Sequence, residues 1–407
     1  MKKFNNYFDE IFKSSQKYIN DSLDSKKLKK LYSCLENKTF ENEKGYINCF
    51  IEQYNSLIKE NYQQEYKYSN KKLNNFLNTN KSNIKVIWGN CLNALKMMDS
   101  ESIDLMVTSP PYYNARAYSQ WEDINKYLAD MRDIIRETYR VLDNHKVWVF
   151  NVGDIFDNPN TKTKSVWGKT RLPLGAYFIK IFEEEGFTFV DDIIWDKGEV
   201  HSKRNKNNAT PYPFYQYPYN CYEHILIFHK HRLDLTHFPC PVCGSLNVSG
   251  NTQSEPGLQS WECKNNNCFE RSKSNRGKRF SRKSNMTQSD IYRKNNSIED
   301  ELLKKWRRDI VKFSPVIKIN SKGENTLGHT APFPEDIPEM AIKFFSYKGD
   351  KVLDPFAGSF TTPLVAAKLG RIGVGIELDI DLKEIVKKRM LDNDDLFQKI
   401  KIEEYEI

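Results

Sequence analysis

From Ile84 onward, short β-branched runs alternate with segments of helical periodicity. That alternation commits most of the chain to βαβ units and hence to a mostly parallel sheet with helices on both faces. IKVIW (84–88) and IDLMV (103–107) read as buried strands. Asp123–Leu142 carries Ile124, Tyr127, Leu128, Met131, Ile134, Ile135 and Val141 on one helical face. KVWVFNV (146–152) is a strand, LGAYFIKIFEEEGF (174–187) a helix stopped at Gly186, and FVDDIIW (189–195) and EHILIFH (223–229) are further strands. The texture breaks after His231 and resumes with KVLDPFAGSF (351–360), a helix to Leu369, the strand RIGVGIEL (371–378) and a final helix from Asp381.

Four segments follow. Residues 1–80 form a small helical region, with Phe4, Tyr7, Phe8, Ile11 and Phe12, and again Cys49, Phe50, Tyr54, Leu57 and Ile58, at helical spacing. Residues 84–231 and 326–407 are the two halves of the α/β domain, and 232–325 is an insert. Lys264 to Arg308 holds 14 Lys and Arg against 5 Asp and Glu, a net charge of +9 that exceeds the +8 of the whole chain. No run of about 18 apolar residues is present to cross a bilayer, and the N-terminus lacks the apolar stretch of a secretory signal. A cytoplasmic protein with reduced thiols is expected, so the eight cysteines need an explanation other than disulfides.

Two loops carry the chemistry. In DPFAGSFTTPLVAAKLGRIGVGIELD (354–379) an apolar strand ends at Asp354 and a small-residue turn, Ala357-Gly358-Ser359, lets backbone approach a ligand. The acidic Glu377 ends the next strand about 20 positions on, the arrangement that serves ribose hydroxyls at the carboxyl ends of parallel strands. TSPPYYN (108–114) directly follows the strand IDLMV. Two prolines make a rigid extended turn without N–H donors. Ser109 adds an acceptor hydroxyl, Pro110 a carbonyl and Tyr112 a flat ring, a clamp for a planar ring bearing an exocyclic amino group.

With WVFNVGD (148–154), DIIWDK (192–197), YEHILIFHK (222–230) and GHTAPFPEDIPEMAIKFFSYKGDKVLDPFAG (328–358), this pattern resembles the amino-methylating DNA methyltransferases. The order, SPPY first and the cofactor turn last, is that of the family's β class. The resemblance covers roughly 84–231 and 325–395. It implies a Rossmann-like fold with a seven-stranded, mostly parallel sheet, and methyl transfer from S-adenosylmethionine to a base flipped out of double-stranded DNA. It also implies that Asp354, Phe356, Gly358 and Ser359 line the methionine part of the cofactor, that Glu377 takes the ribose, and that the segment containing His329, Pro332 and Phe333 packs beside it. Asn90 stands where the family often has Asp, and is expected near the adenine. Ser109, Pro110, Pro111 and Tyr112 receive the target base. SPPY is typical of the N4-cytosine members, so cytosine is favoured over N6 of adenine. A catalytically inactive, zinc-containing DNA-binding protein is the competing class, and the intact SPPY and Glu377 speak against it.

CPVCG (240–244) and WECKNNNC (261–268) place Cys240 and Cys243 as C-x2-C, then Cys263 and Cys268 as C-x4-C after 19 residues. Four thiolates in two paired turns suit a closed, structural tetrahedral zinc site, a zinc ribbon within the target-recognition insert. The basic stretch behind it, Arg271, Lys273, Arg276, Lys278, Arg279, Arg282 and Lys283, is expected to meet DNA phosphates. Cys34, Cys49, Cys91 and Cys221 read as isolated thiols, and His201, His224 and His329 as isolated histidines without a catalytic role. No nuclease constellation is present, so a cognate restriction endonuclease would be a separate chain.

Overall fold

The computed structural model describes residues 66–113, 120–156, 171–198, 221–231, 295–316, 333–393 and 399–407, with single residues before 66 and parts of 240–281. The chain divides into two units, Tyr68–His231 with Ile298–Ile407, and Met1–Lys67 with Arg232–Ser297.

The larger unit begins with helix α1 (Lys71–Asn78), strand β1 (Ile84–Trp88), α2 (Cys91–Met97), β2 (Ile103–Thr108), α3 (Ile124–Val141) and β3 (Leu142–Val152). A short hairpin, β4 (Ile155–Phe156) and β5 (Arg171–Leu172), leads to α4 (Leu174–Glu184), β6 (Phe187–Asp196) and β7 (Tyr222–Lys230). In the smaller unit lie β8 (Val248–Glu255), β9 (Leu258–Cys263) and β10 (Arg279–Ser281). The larger unit resumes with α5 (Asp300–Trp306), β11 (Ile310–Lys312), α6 (Asp336–Phe345), β12 (Lys351–Asp354), α7 (Thr361–Lys368), β13 (Ile372–Glu377), α8 (Lys383–Leu391) and β14 (Ile402–Glu406).

One sheet organises this unit, in the order β11-β6-β7-β3-β2-β12-β13-β1-β14. Every neighbouring pair is parallel except the two made by β7, which runs antiparallel to both β3 and β6. Nine strands replace the expected seven because β11 and β14 extend the two edges. Edge strand β14 is drawn in by a charge. Lys85 of β1 is fully buried, and its ammonium is paired with Glu403 and bonded to Thr79 Oγ1 at 2.6 Å. Lys85 holds the Glu403 carboxyl down at about 2.

The domain boundaries also shift. Helix α1 belongs to the sheet unit rather than to the N-terminal region, and residues from Ile298, expected in the insert, supply α5 and β11. Trp306 and Val311 there are buried in the core cluster that also holds Val107, Val149 and Ile337, so apolar burial overrides the basic composition of the flanks. Of the expected N-terminal helical positions, Cys49 and Leu57 are described, helical and buried. Phe4, Tyr7, Phe8, Ile11, Phe12, Phe50, Tyr54 and Ile58 lie outside the described residues.

Of the face read from its periodicity, helix α3 buries Tyr127, Met131, Ile134, Ile135 and Val141 and leaves Ile124 and Leu128 half-buried, and it buries Thr138 besides. Packing is close where α7 crosses β13. A Cβ on Gly373 would lie 2.2 Å from Pro363 O, and one on Gly375 would lie 2.4 Å from the Phe360 ring. These glycines let the helix after the small-residue turn lie flush on the sheet, which fixes the turn at the strand ends. Among the described residues, no helix is long and apolar enough to cross a membrane.

Candidate active site

Strands β2 and β12 are parallel neighbours, with Leu353 opposite Met106, so the loops after Thr108 and Asp354 leave the same end of the sheet. A buried hydrogen bond ties them, since Thr108 Oγ1 donates to Asp354 Oδ1 at 2.5 Å. The same carboxylate oxygen accepts from the Phe356 N–H at 3.0 Å and starts the small-residue turn. Burial pushes the Asp354 carboxyl up to about 7, and the Glu377 charge adds to this against the hydrogen bonds of Thr108, Phe356 and Thr362. Glu377 ends β13 and accepts from the Gly358 N–H at 2.7 Å and the Asp379 N–H at 2.8 Å. Burial raises its carboxyl above the usual range. The structure thus brings Asp354, Phe356, Gly358 and Ser359 into one turn, with Glu377 reaching it from the end of β13.

Ser359 and the residue after it have jobs the sequence did not announce. Ser359 is buried, and both its Oγ and its carbonyl accept from Arg389 Nη1 of α8 at 2.8 Å. Phe360, at φ 62°, begins α7 from a left-handed conformation with its ring buried against Trp88. Asn90 caps α2, its side-chain oxygen accepting from the Asn93 N–H at 3.2 Å. The preceding residue, Gly89, donates its N–H to Glu377 O, which keeps Asn90 beside the acidic strand end. Phe333 packs against the core cluster under α6 and α7. His329 and Pro332 lie outside the described residues.

The SPPY loop is held from three sides. Tyr127 Oη of α3 donates to Pro111 O at 2.9 Å, and the Tyr127 ring meets that of buried Tyr113. Ser109 Oγ lies 3.4 Å from Tyr112 Oη, and Tyr112 Oη donates to Glu223 Oε2 at 2.9 Å. Lys197 Nζ donates to Glu223 Oε1 at 2.6 Å. Burial raises the Tyr112 phenol well above its ordinary range, and the Glu223 charge adds to it. Tyr127, Glu223 and Lys197 escaped the sequence reading because they belong to three separate elements. Lys197 and Glu223 meet only through the antiparallel pairing of β6 and β7, in which Trp195 faces Glu223.

His224 is not isolated, contrary to the expectation from sequence. Its Nδ1 lies 2.8 Å from Asp192 Oδ2 and its Nε2 3.7 Å from Asp154 Oδ1. Burial opposes its charge, but the two carboxylates outweigh burial and raise the imidazole to about 9. Gly175, whose Cβ would sit 2.7 Å from the ring, makes room for it and donates its N–H to Asp154.

In the smaller unit, β10, β9 and β8 form a three-stranded antiparallel sheet. The sulfurs of Cys240, Cys243, Cys263 and Cys268 all lie within 4.8 Å of one another, and three of the four residues are buried. Backbone N–H groups of Cys240, Lys264 and Cys268 close the surrounding turns on Ser245, Asn247 and Asn265. A hydrogen bond from Cys240 outweighs burial and holds the Cys243 thiol down at about 5. Of the expected phosphate contacts, Arg271 is half-buried with Nη1 shielded from solvent, and Arg279 lies in β10. Lys273, Arg276, Lys278, Arg282 and Lys283 lie outside the described residues.

Residues 103–388 match the DNA methylase family of N6/N4 methyltransferases, and the chain belongs to it. It is 40% identical over 320 residues to the type II beta methyltransferase M.BslI of Bacillus sp. (strain NEB-606), a match that covers 78% of this chain but 29% of that protein. It is 25% identical over 341 residues to the type II methyltransferase M.SmaI of Serratia marcescens, covering 77% of this chain and 93% of the relative. Its fold is similar to that of a Thermus thermophilus protein described as a DNA modification methylase and crystallised with S-adenosyl-L-methionine. That match has a TM-score of 0.52 and 22% identity, over 79% of this chain and 98% of the other.

His224 and its two carboxylates set a pH dependence. With a folded-state pKa of about 9 against the ordinary 6.5, the stability His224 supplies is complete below pH 6.5 and is lost as the pH rises through 9. The difference in unfolding free energy between wild type and His224→Gln should therefore shrink between pH 6.5 and 9 in denaturant titrations. A difference that stays constant with pH would contradict the pairing.

Proposed function

We propose that the chain transfers a methyl group from S-adenosylmethionine to N4 of a cytosine flipped out of double-stranded DNA. The observation that carries this reading is the Thr108–Asp354 hydrogen bond, which joins the cofactor turn to the SPPY loop. The residues fit the cofactor. Buried Asp354 and the Gly358-Ser359 turn suit its methionine part, Glu377 its ribose hydroxyls, and Asn90 its adenine. When bound, the cofactor supplies an electrophilic methyl group. The DNA target must leave the stack to reach the loop. Tyr112 then stacks on it, an interaction worth about 1–3 kcal/mol in comparable base–aromatic stacks. Ser109 Oγ and the Pro110 carbonyl accept the two amino protons, draw the nitrogen towards a pyramidal shape and aim its lone pair. Positioning provides most of the acceleration.

Ser109 at the head of the motif supports cytosine, and N6 of adenine is the competing target. Ser109→Ala and Tyr112→Ala should each cut methyl transfer to DNA far more than they weaken S-adenosylmethionine binding by calorimetry. Equal losses of both would oppose these roles.

Cys240, Cys243, Cys263 and Cys268 hold a structural zinc ion in this reading. A tetrahedral site with Zn–S bonds of about 2.3 Å needs sulfurs about 3.8 Å apart, and Cys243 and Cys263 stand at 3.6 Å. Arg271, Arg279 and the neighbouring lysines and arginines supply phosphate contacts, the double-stranded DNA being held by charge and read elsewhere. The protein acts in the cytoplasm, and a restriction endonuclease cutting the same site would be a separate chain. Purified protein should carry about one zinc per chain by mass spectrometry of the metal, and Cys240→Ser should lower it. Full zinc in that variant would contradict the site.

A further inference from the structure

The amine that receives a methyl group becomes cationic and must lose a proton, and the SPPY residues themselves include no strong base. A hydrogen-bonded chain leads away from them. Tyr112 Oη donates to Glu223 Oε2 at 2.9 Å, so the phenol oxygen turns its lone pairs to Ser109, 3.4 Å away. Ser109 has one proton, and this direction commits it to Tyr112. Its remaining lone pairs then face the target base as acceptors only. The direction comes from Glu223, a carboxylate fixed by Lys197 Nζ at 2.6 Å and itself 14% exposed. The chain has made space for that carboxylate. A Cβ on Gly153, at the end of β3, would lie 2.9 Å from Glu223 Cγ. Burial keeps the Tyr112 phenol protonated, so it conducts a proton rather than holding a charge.

We propose that Glu223 is the terminal proton acceptor of the methyl-transfer reaction, reached through Ser109 and Tyr112. The proposal rests on the methyltransferase reading above and adds the route the proton takes. As the N–CH3 bond forms and the S–CH3 bond breaks, the sulfonium leaves as a neutral thioether and the amine nitrogen takes up the positive charge. The nitrogen passes one proton to Ser109 Oγ, Ser109 passes its own to Tyr112 Oη, and Tyr112 passes its own to the Glu223 carboxylate. The product amine, Ser109 and Tyr112 end neutral, and Glu223 ends as a carboxylic acid that releases its proton at its exposed edge. Glu223 touches neither base nor cofactor, so it is a positioning residue that also drains the proton.

Two variants separate this relay from a purely structural anchor. Glu223→Gln keeps the shape and an oxygen that accepts from Tyr112, but cannot take the proton. Tyr112→Phe keeps the stacking ring and breaks the chain. Each should slow single-turnover methyl transfer to DNA by roughly 10²-fold, with S-adenosylmethionine and DNA affinities within about twofold of wild type. The double variant should be no slower than the slower single one, because both break one chain. Glu223→Asp should recover part of the rate. Wild-type transfer rates in Glu223→Gln or Tyr112→Phe would overturn the relay while leaving the methyltransferase reading intact. No methyl transfer by the wild type would remove both.

Discussion

The hydrogen bond from Thr108 to Asp354 is the constraint on which the site depends. It joins two strands that are 246 residues apart in sequence and adjacent in the sheet. One leads into the turn suited to a nucleoside cofactor and the other into the loop suited to a base. Because the bond is buried, its loss would remove one of the few hydrogen bonds that a carboxylate in apolar surroundings has, which is costly. Both loops therefore begin from a fixed point. Gly373 and Gly375 extend this rigidity by seating α7 on β13, and Glu377 pins Gly358 from the next strand. Positional accuracy at the strand ends is what a reaction driven by alignment requires.

Charge follows the same geometry. Acidic groups gather at the strand ends, each with a different neighbour. Asp354 is buried and Glu377 half-buried, and both carboxyls are raised. Glu223 is paired with Lys197, and Asp154 and Asp192 flank His224. Away from this rim, Lys85 with Glu403 fastens the last strand to the sheet edge. A buried charge without a partner would be expensive, so each of these pairs specifies which strand lies beside which.

Much of the sheet was legible because it rests on local signals. IKVIW and IDLMV became β1 and β2 because runs of β-branched and apolar residues can be buried on both faces of a parallel strand. The face of α3 came from its periodicity. The small-residue turn after β12 and the SPPY loop were legible because each is a contiguous motif with required small or cyclic residues. The four cysteines were legible by spacing, and the structure gathers them. What the sequence concealed depends on pairing across distance. Glu223 read only as the start of an apolar strand, and its meaning comes from Lys197 across β6 and Tyr112 on another loop. His224 read as isolated because Asp192 and Asp154 reach it from neighbouring strands. Strand β11 was hidden just after a basic stretch, where three residues of strand are too short to show a period.

Alignment of an exocyclic amino group of a base with a sulfonium methyl is the reaction we propose for these two loops. Nucleoside mass spectrometry reads its product without intermediaries, on unmethylated genomic DNA incubated with the purified protein and S-adenosylmethionine. A new N4-methylcytosine peak, absent without protein, is the expected result. N6-methyladenine in its place would contradict the assignment of the base, and the absence of any methylated nucleoside would contradict methyl transfer to DNA itself.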